Sequence, residues 1–179
     1  HLSALGYKEL VITGVHLGGY GSDIQENLTT LITALLNETD IPRIRIGSLE
    51  PWDFPEDFIS LFESERLCRH LHLPLQSGSN TVLRRMIRRC TVESYSAIVE
   101  QLRAFDSNFT ITSDFIVGFP GETDSDFVET LQLVNRVGYA SAYSFKYSPR
   151  PGTPAATRED QVPEEVKAER LESLQQLLN

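Results

Sequence analysis

Cysteine is scarce in this chain of 179 residues, which contains only Cys68 and Cys90. The two do not form a CxxC or CxxxCxxC pattern, so they cannot supply a complete set of ligands for zinc or an iron–sulfur cluster. We predict two free thiols in a reducing compartment. No apolar run approaches the roughly 20 residues of a membrane-spanning helix, and no signal peptide opens the chain. We therefore expect a cytoplasmic protein with no membrane contact.

Positive charge is also in deficit, because 16 lysines and arginines face 25 aspartates and glutamates, for a net charge of −9. This balance excludes a surface that coats nucleic acid generally, since neutralising phosphates requires a basic face. A local basic site is compatible with it. The hydrophobic content of 40% is ordinary for a globular domain.

Strand patterns alternate with helix patterns along the chain. The predicted strands cover residues 9–15, 43–49, 70–75, 110–117 and 142–147, and the predicted helices cover 24–35, 55–62, 81–87, 93–105, 125–137 and the region after Pro163. This alternation predicts an α/β fold with a parallel sheet and right-handed crossovers. Five successive units favour an open partial barrel over a flat sheet.

The loops that follow the strands would then share one rim, where function is expected. These loops cover residues 13–21, 48–53, 76–80, 118–122 and 147–153. The turn 118–122 is the most informative of them, because two glycines lie between two carboxylates, Asp114 and Glu122. The turn is either an ordinary strand-to-helix connection or the wall of a ligand site.

Several side chains near this rim have two interpretations. Asp114 lies in an otherwise apolar strand, so its carboxylate needs a polar ligand or a partner such as Arg45. Tyr143, Phe145 and Tyr147 alternate on the last strand and share one face, where they would flank a purine or pack in the core.

The third strand carries His70 and His72 on one face. They are either metal ligands or ordinary core or rim histidines, and no third ligand is near them in sequence. Gln76 and Ser77 follow this strand, and we expect their short polar side chains to contact a ligand.

Four arginines, Arg84, Arg85, Arg88 and Arg89, have helical spacing and would form two adjacent rows. The rows could bind RNA phosphates or a ligand carboxylate. The alternative is a solvated face paired with acidic neighbours.

Four segments occur in an order that resembles the radical S-adenosylmethionine (radical SAM) methylthiotransferases. They are HLHLPLQSGS at 70–79, RRM at 84–86, SDFIVGFPGET at 113–123 and YSPRPGTPA at 147–155. Members of this family install methylthio groups, mostly on the adenosine beside the tRNA anticodon. The resemblance covers nearly the whole chain.

The resemblance implies a partial TIM-like barrel of six strands, of which the first is absent from this chain. Residues 1–154 would form the core, and 155–179 a linker and helix leading to an RNA-binding domain. The implied cofactors are S-adenosylmethionine and 4Fe–4S clusters, whose CxxxCxxC ligands would precede His1. The fragment alone would then be inactive. Its partners would be tRNA and an electron donor, and the exposed edge of 9–15 could mediate a dimer.

The resemblance also implies individual contacts. The cofactor-binding residues would be Thr13, Gly14, Ser48, Glu50, Gln76, Ser77, Asp114, Ile116, Gly118, Phe119, Gly121, Glu122, Tyr147 and Ser148. The RNA-binding residues would be Arg84, Arg85, Arg88 and Arg150. The glycines of the turn would admit close approach of the nucleoside, and Glu122 would be structural or ligand-orienting.

Within the family, residues 47–51 and the HLHLPLQSG form resemble the branch acting on threonylcarbamoyladenosine, with the isopentenyladenosine branch next. Two other functions stay open. The barrel could belong to a lyase or isomerase for a phosphate-bearing ligand, with Asp114 and Glu122 as acid–base groups. It could also be a non-catalytic scaffold whose arginine rows bind RNA.

Overall fold

Strands and helices alternate along residues 2–178, the part of the chain that the computed structural model describes. The strands are β1 (Glu9–Ile12), β2 (Arg43–Ile46), β3 (His70–His72), β4 (Thr110–Val117) and β5 (Ser141–Lys146). The α-helices are α1 (Leu28–Glu38), α2 (Asn80–Arg85), α3 (Val92–Phe105), α4 (Asp124–Val137) and α5 (Glu164–Leu178). The predicted α/β alternation is confirmed.

The chain divides into two units. The first comprises the residues up to Pro74 together with Ala97–Ile111, and the second comprises Leu75–Ser96 and the residues from Thr112 onward.

In the first unit, β1 and β2 pair in parallel, with Glu9 opposite Arg43 and Ile12 opposite Ile46. Among the described residues β1 pairs with no strand other than β2. Three aromatic rings pack edge to face in the core of this unit. Phe62 lies 5.9 Å from Phe58 and 4.8 Å from Phe109 between ring centroids.

In the second unit, β4 and β5 pair in parallel. Side chains of β4 alternate between buried and more accessible along its whole length, as a strand with two different faces requires. Phe115 and Val117 form the core of this unit with Phe127, Val134 and Leu174 from α4 and α5. Thr123 and Asp126 form a capping box that starts α4 at Asp124, one residue before the predicted start.

Two predicted helices of the first unit differ in the structure. The helix predicted over 24–35 begins only at Leu28, because Gln25 has a positive φ of 61° and Asn27 caps the helix through Thr30. The segment predicted as a helix over 55–62 contains a 3₁₀ helix at Phe58–Glu63, preceded by another at Pro51–Asp53. Within residues 2–178, no helix has the length and apolar character needed to cross a bilayer.

Candidate functional site

The second unit contains a cavity of about 640 Å³, within the size range of small-molecule sites. Its walls come from the end of β4, from β5 and the segment after it, and from the end of α2. It is lined by Gln76, Arg85, Met86, Ile87, Asp114, Ile116, Phe119, Phe145, Lys146, Tyr147, Ser148, Arg150, Thr153, Pro154 and Ala155.

Strand register places several predicted residues on one face of the sheet, and Asp114, Ile116 and Phe145 among them line the cavity. Asp114 is paired with Tyr143, and Ile116 with Phe145, so these four side chains share one face of the sheet. Tyr143 and Phe145 stack with centroids 6.5 Å apart and are 68% and 53% exposed. Their predicted common face is confirmed, and the alternative that they pack in the core is wrong.

Gln76 reaches the cavity through an unusual backbone conformation. Its φ is +82°, which a side chain other than glycine rarely adopts. Two backbone hydrogen bonds hold it there. The Gln76 N–H donates to the Asp114 carbonyl, and the Ile116 N–H donates to the Gln76 carbonyl. Strained residues held in this way cluster at ligand sites.

Tyr147 lines the cavity just after β5. Its ring is fixed by Phe119, 5.1 Å away in an edge-to-face contact, and by the Lys167 ammonium, 5.6 Å from the ring centroid. Its hydroxyl is buried and has no hydrogen-bond partner among the described residues. An unsatisfied buried hydroxyl is unfavourable, so a bound polar ligand would relieve it.

The turn 118–122 is held by buried charges. The Glu122 carboxylate accepts from the Gly118 N–H at 2.8 Å and from the Arg170 guanidinium at 2.7 Å. Burial raises the pKa of Glu122 above 4.5, while the Gly118 N–H and Arg170 act in the opposite direction. These contacts support the prediction of a structural role for Glu122.

The space beside the two glycines of this turn is already filled. A Cβ on Gly118 would lie 2.3 Å from Lys167 Cγ, and a Cβ on Gly121 would lie 1.6 Å from an Arg85 nitrogen. Both residues have positive φ. On that side of the backbone the two glycines make room for protein side chains. Their backbone contact with a cofactor stays a prediction.

Ser77 does not line the cavity, although we expected it to contact a ligand. It is 1% exposed, its hydroxyl lies 3.4 Å from that of Thr130, and it accepts from the Ser79 N–H. The Ser79 hydroxyl in turn donates to Asp126 at 2.6 Å. These short polar side chains attach the segment 77–79 to α4.

The arginines do not form the predicted helical rows. Helix α2 ends at Arg85, and the chain turns at Ile87, whose φ is +58°. The Arg88 N–H donates to the Leu83 carbonyl and the Ile87 N–H to that of Arg84, which is a Schellman end. Arg88 and Arg89 therefore lie beyond the helix.

Two of the four predicted RNA-binding residues, Arg85 and Arg150, line the cavity. Arg85 is paired with Asp160 at 2.9 Å, and Asp160 is also paired with Arg158. Hydrogen bonds from both guanidinium groups lower the pKa of Asp160 to about 2.

The remaining predicted cofactor residues lie in the first unit. Thr13 and Gly14 follow β1 and are exposed, and Ser48 and Glu50 follow β2 and are half-buried. Glu50 belongs to a group that sequence reasoning missed. His16 Nδ1 lies 3.5 Å from a Glu50 oxygen and 3.6 Å from an Asp53 oxygen. Both carboxylates also have a buried oxygen without a hydrogen bond, so this group could attract a cation or an amino group.

His70 and His72 share a half-buried face, as predicted. Among residues 2–178, neither belongs to a group of three possible metal ligands. Burial, followed by the charges of Arg45 and His72, lowers the pKa of His70 below 6.5. Arg45 itself lies 3.5 Å from Glu9.

Lys167 and Arg170 are two buried cationic residues beside the turn 118–122 that the sequence analysis did not place there. Both lie in α5 and are 6% exposed. They belong to the segment 155–179, which we expected to be a linker and helix leading to an RNA-binding domain. The one signal available was the presence of basic residues among the apolar positions of that helix.

A family model described as the radical SAM superfamily matches residues 3–134 of this chain. Two relatives are each 45% identical to it. One is the threonylcarbamoyladenosine tRNA methylthiotransferase MtaB of Thermotoga maritima, over 96% of this chain and 40% of its own length. The other is the tRNA-2-methylthio-N(6)-dimethylallyladenosine synthase of Oceanobacillus iheyensis, over 100% of this chain and 35% of its own length. The chain thus spans about two fifths of the length of the curated relatives it matches.

Solved structures with lower identity share the fold. The coproporphyrinogen III oxidase HemN of Escherichia coli aligns with a TM-score of 0.73 at 20% identity, over 98% of this chain and 42% of its own. The Elp3 protein of Methanocaldococcus infernus aligns with a TM-score of 0.63 at 17% identity, over 93% of this chain and 44% of its own. The predicted partial TIM-like barrel class is confirmed.

Proposed function

Because the chain belongs to the radical SAM superfamily, we propose that it forms the S-adenosylmethionine-binding core of a tRNA methylthiotransferase. The support is the 45% identity to relatives named for that activity, over almost all of this chain. The activity is proposed for the whole protein, since the relatives are more than twice as long as the match. That protein would act on tRNA in the cytoplasm, with an electron donor and 4Fe–4S clusters.

The observation that carries the binding proposal is the buried, unsatisfied hydroxyl of Tyr147 in a cavity of suitable size. S-adenosylmethionine, when bound with a reduced iron–sulfur cluster, supplies a carbon radical that abstracts hydrogen from a substrate. The cavity suits its nucleoside part, because apolar walls and a few fixed polar groups are typical of such sites.

Different residues would contact different parts of S-adenosylmethionine. Ile116 and Phe119 offer apolar surface, while Gln76, Asp114 and Ser148 offer polar groups for the ribose and the base edge. The hydrogen bonds that hold Gln76 in its strained conformation would fix its position before the cofactor arrives. Thr13, Gly14, Ser48 and Glu50 stay predictions for the same cofactor.

Glu122 and Arg170 would keep the turn 118–122 rigid beside this site. A lyase or isomerase mechanism with Glu122 as an acid–base group has less support. Its side chain is 2% exposed and is engaged by Arg170 and the Gly118 N–H, so it has little access to a substrate proton.

For the target nucleoside we propose threonylcarbamoyladenosine, with methylthiolation at carbon 2. Its support is the segment 47–51 and the HLHLPLQSG form of residues 70–78. Dimethylallyladenosine, the isopentenyladenosine of the second branch, is the second candidate. Relatives named for it are 45% to 47% identical to this chain, against 45% for the relative named for threonylcarbamoyladenosine.

The nucleosides of tRNA test this function directly. We expect deletion of the full-length gene to remove the methylthio derivative of threonylcarbamoyladenosine and to leave that of dimethylallyladenosine intact, as measured by mass spectrometry of digested tRNA. Loss of the second derivative alone would reassign the substrate. Loss of neither would refute the methylthiotransferase proposal.

Tyr147→Phe in the full-length protein tests the cofactor site. We expect the affinity for S-adenosylmethionine to fall about fivefold to tenfold, the usual effect of losing one hydrogen bond of about 1 kcal/mol. Stability without ligand should not fall, because the substitution removes an unsatisfied hydroxyl. Equilibrium dialysis and thermal unfolding give the two quantities.

Tyr143→Phe is the matched control, since Tyr143 lies in β5 just before Tyr147, is 68% exposed and does not line the cavity. Its affinity for S-adenosylmethionine should equal that of the wild type. Equal losses in the two variants would contradict the assignment of Tyr147 to the site.

A further inference from the structure

Ile87 combines two properties that are each unfavourable. Its φ is +58°, in the left-handed region where a β-branched side chain is a genuine outlier. Glycine or asparagine usually occupies this position of a Schellman end. Its side chain is also 83% exposed, so packing within the protein does not compensate for the strain.

The position of Ile87 is not arbitrary, because it lines the cavity described above, next to Met86. An apolar side chain that lines this cavity can contact a ligand bound in it. Residues whose backbone strain is not offset by packing within the protein are found at binding sites.

Three arginines either lie close to Ile87 in sequence or line the same cavity. Arg84 is exposed and donates a hydrogen bond to Thr81 of its own helix, and Arg89 and Arg150 are exposed as well. Within residues 2–178, none of these three is paired with a carboxylate. In a chain with a net charge of −9, this is a local excess of positive charge.

We propose that Ile87 is an RNA-contact residue, whose side chain packs against the face of a base next to the target nucleoside. Arg84 and Arg89 pair with the flanking phosphates. This inference rests on the proposed tRNA substrate and adds the residues that read its single-stranded part. Apolar side chains pack on unstacked bases, and arginines neutralise phosphates, so the combination fits RNA better than an acidic or apolar protein surface.

Ile87→Asn in the full-length protein tests the contact. Asparagine tolerates the left-handed conformation, so we expect the melting temperature of the free protein to rise by about 1–2 °C. We expect the affinity for an anticodon stem-loop RNA to fall roughly tenfold, the scale of one lost base contact. Fluorescence anisotropy and thermal unfolding measure the two effects.

Ile24→Asn is the control, because it makes the same substitution at an isoleucine that is 62% exposed and does not line the cavity. We expect its RNA affinity to match that of the wild type. A tenfold loss in this variant too would show a general effect of removing exposed apolar surface, and it would overturn the role of Ile87.

Salt dependence separates the arginines from Ile87. Arg84→Gln and Arg89→Gln should each reduce the slope of log affinity against log salt by about 0.7, because each removes one phosphate contact with single-stranded RNA. Ile87→Asn should leave this slope unchanged, since an apolar contact releases no counterion.

The outcomes distinguish this inference from the proposed function. If the wild type does not bind the RNA, both are overturned. If the wild type binds and Ile87→Asn binds equally well, only the contact at Ile87 is overturned. A simultaneous fall in affinity and melting temperature would make Ile87 a structural residue and would also overturn it.

Discussion

Arg170→Ala is expected to lower the free energy of unfolding by about 3–5 kcal/mol, the usual result of removing one partner of a buried ion pair. The Arg170 guanidinium lies 2.7 Å from the Glu122 carboxylate, and the two side chains are 7% and 2% exposed. Without Arg170, a buried carboxylate keeps one hydrogen bond from the Gly118 N–H and has no counter-ion there. Urea unfolding of the wild type and the variant measures the difference.

Two further contacts of Arg170 contribute less. Its other nitrogen lies 2.7 Å from Asp124, whose side chain is 96% exposed, so that pair is worth little. Its guanidinium carbon lies 5.7 Å from the Phe127 ring centroid. The pair with Glu122 therefore dominates the expected loss.

The loss should depend on pH. The pKa of Glu122 in the folded protein is raised above 4.5. A carboxyl group with a raised pKa contributes stability that is present below the unfolded value and is lost as the pH rises through the folded value. Removing Arg170 raises this pKa further. We therefore expect the deficit of Arg170→Ala to be smaller near pH 4.5 than at pH 8.

Glu122→Gln supplies the matched control in the Arg170→Ala background. A neutral amide needs no counter-ion, so the double variant should recover part of the lost stability. If the double variant is as unstable at pH 8 as Arg170→Ala, the uncompensated charge is not the cause of the loss.

Gly78→Ala is expected to destabilise the fold by about 3 kcal/mol, at the upper end of what overpacking usually costs. A Cβ at this position would lie 2.5 Å from Thr130 Cα and 3.0 Å from the Glu129 carbonyl oxygen, both in the backbone of α4. A helix backbone cannot move aside as a flexible side chain can. The Gly78 N–H also donates to the Thr130 hydroxyl at 3.0 Å, and a shift would break this bond.

Gly138→Ala is the control for Gly78→Ala, and it separates steric overlap from backbone strain. Gly138 has a φ of +58°, and a Cβ there meets nothing within 4 Å. Its replacement should cost only about 1–2 kcal/mol, the strain of a left-handed alanine. A Gly78→Ala variant more stable than Gly138→Ala in urea unfolding would contradict the packing of segment 77–79 against α4.

Local patterns predicted the elements whose signals lie within a few neighbouring residues. The bounds of β4 match the prediction, because Thr110–Val117 alternates in burial along its whole length. The start of α4 was readable because Thr123 and Asp126 form a cap across three residues. The end of α2 was not readable, because Ile87 is a poor residue for the left-handed position at which the helix stops.

The site was predictable in part. Strand patterns predicted Gln76, Asp114 and Tyr147, and the family resemblance added Ile116. All four line one cavity. Ser77 follows Gln76 directly but points to Thr130, a residue 53 positions away along the chain. No local pattern contains such a partner.

The sequence by itself determined the alternation of strands and helices, the family, and which strand ends carry polar residues, because these depend on periodicity and on motifs within short segments. Only the tertiary structure decided what each residue touches. Lys167 of α5 fills the space beside Gly118, and Arg170 of α5 pairs with the Glu122 carboxylate. The sequence of the turn contains neither partner. Contacts between distant segments depend on how elements pack, and packing is a property of the folded chain.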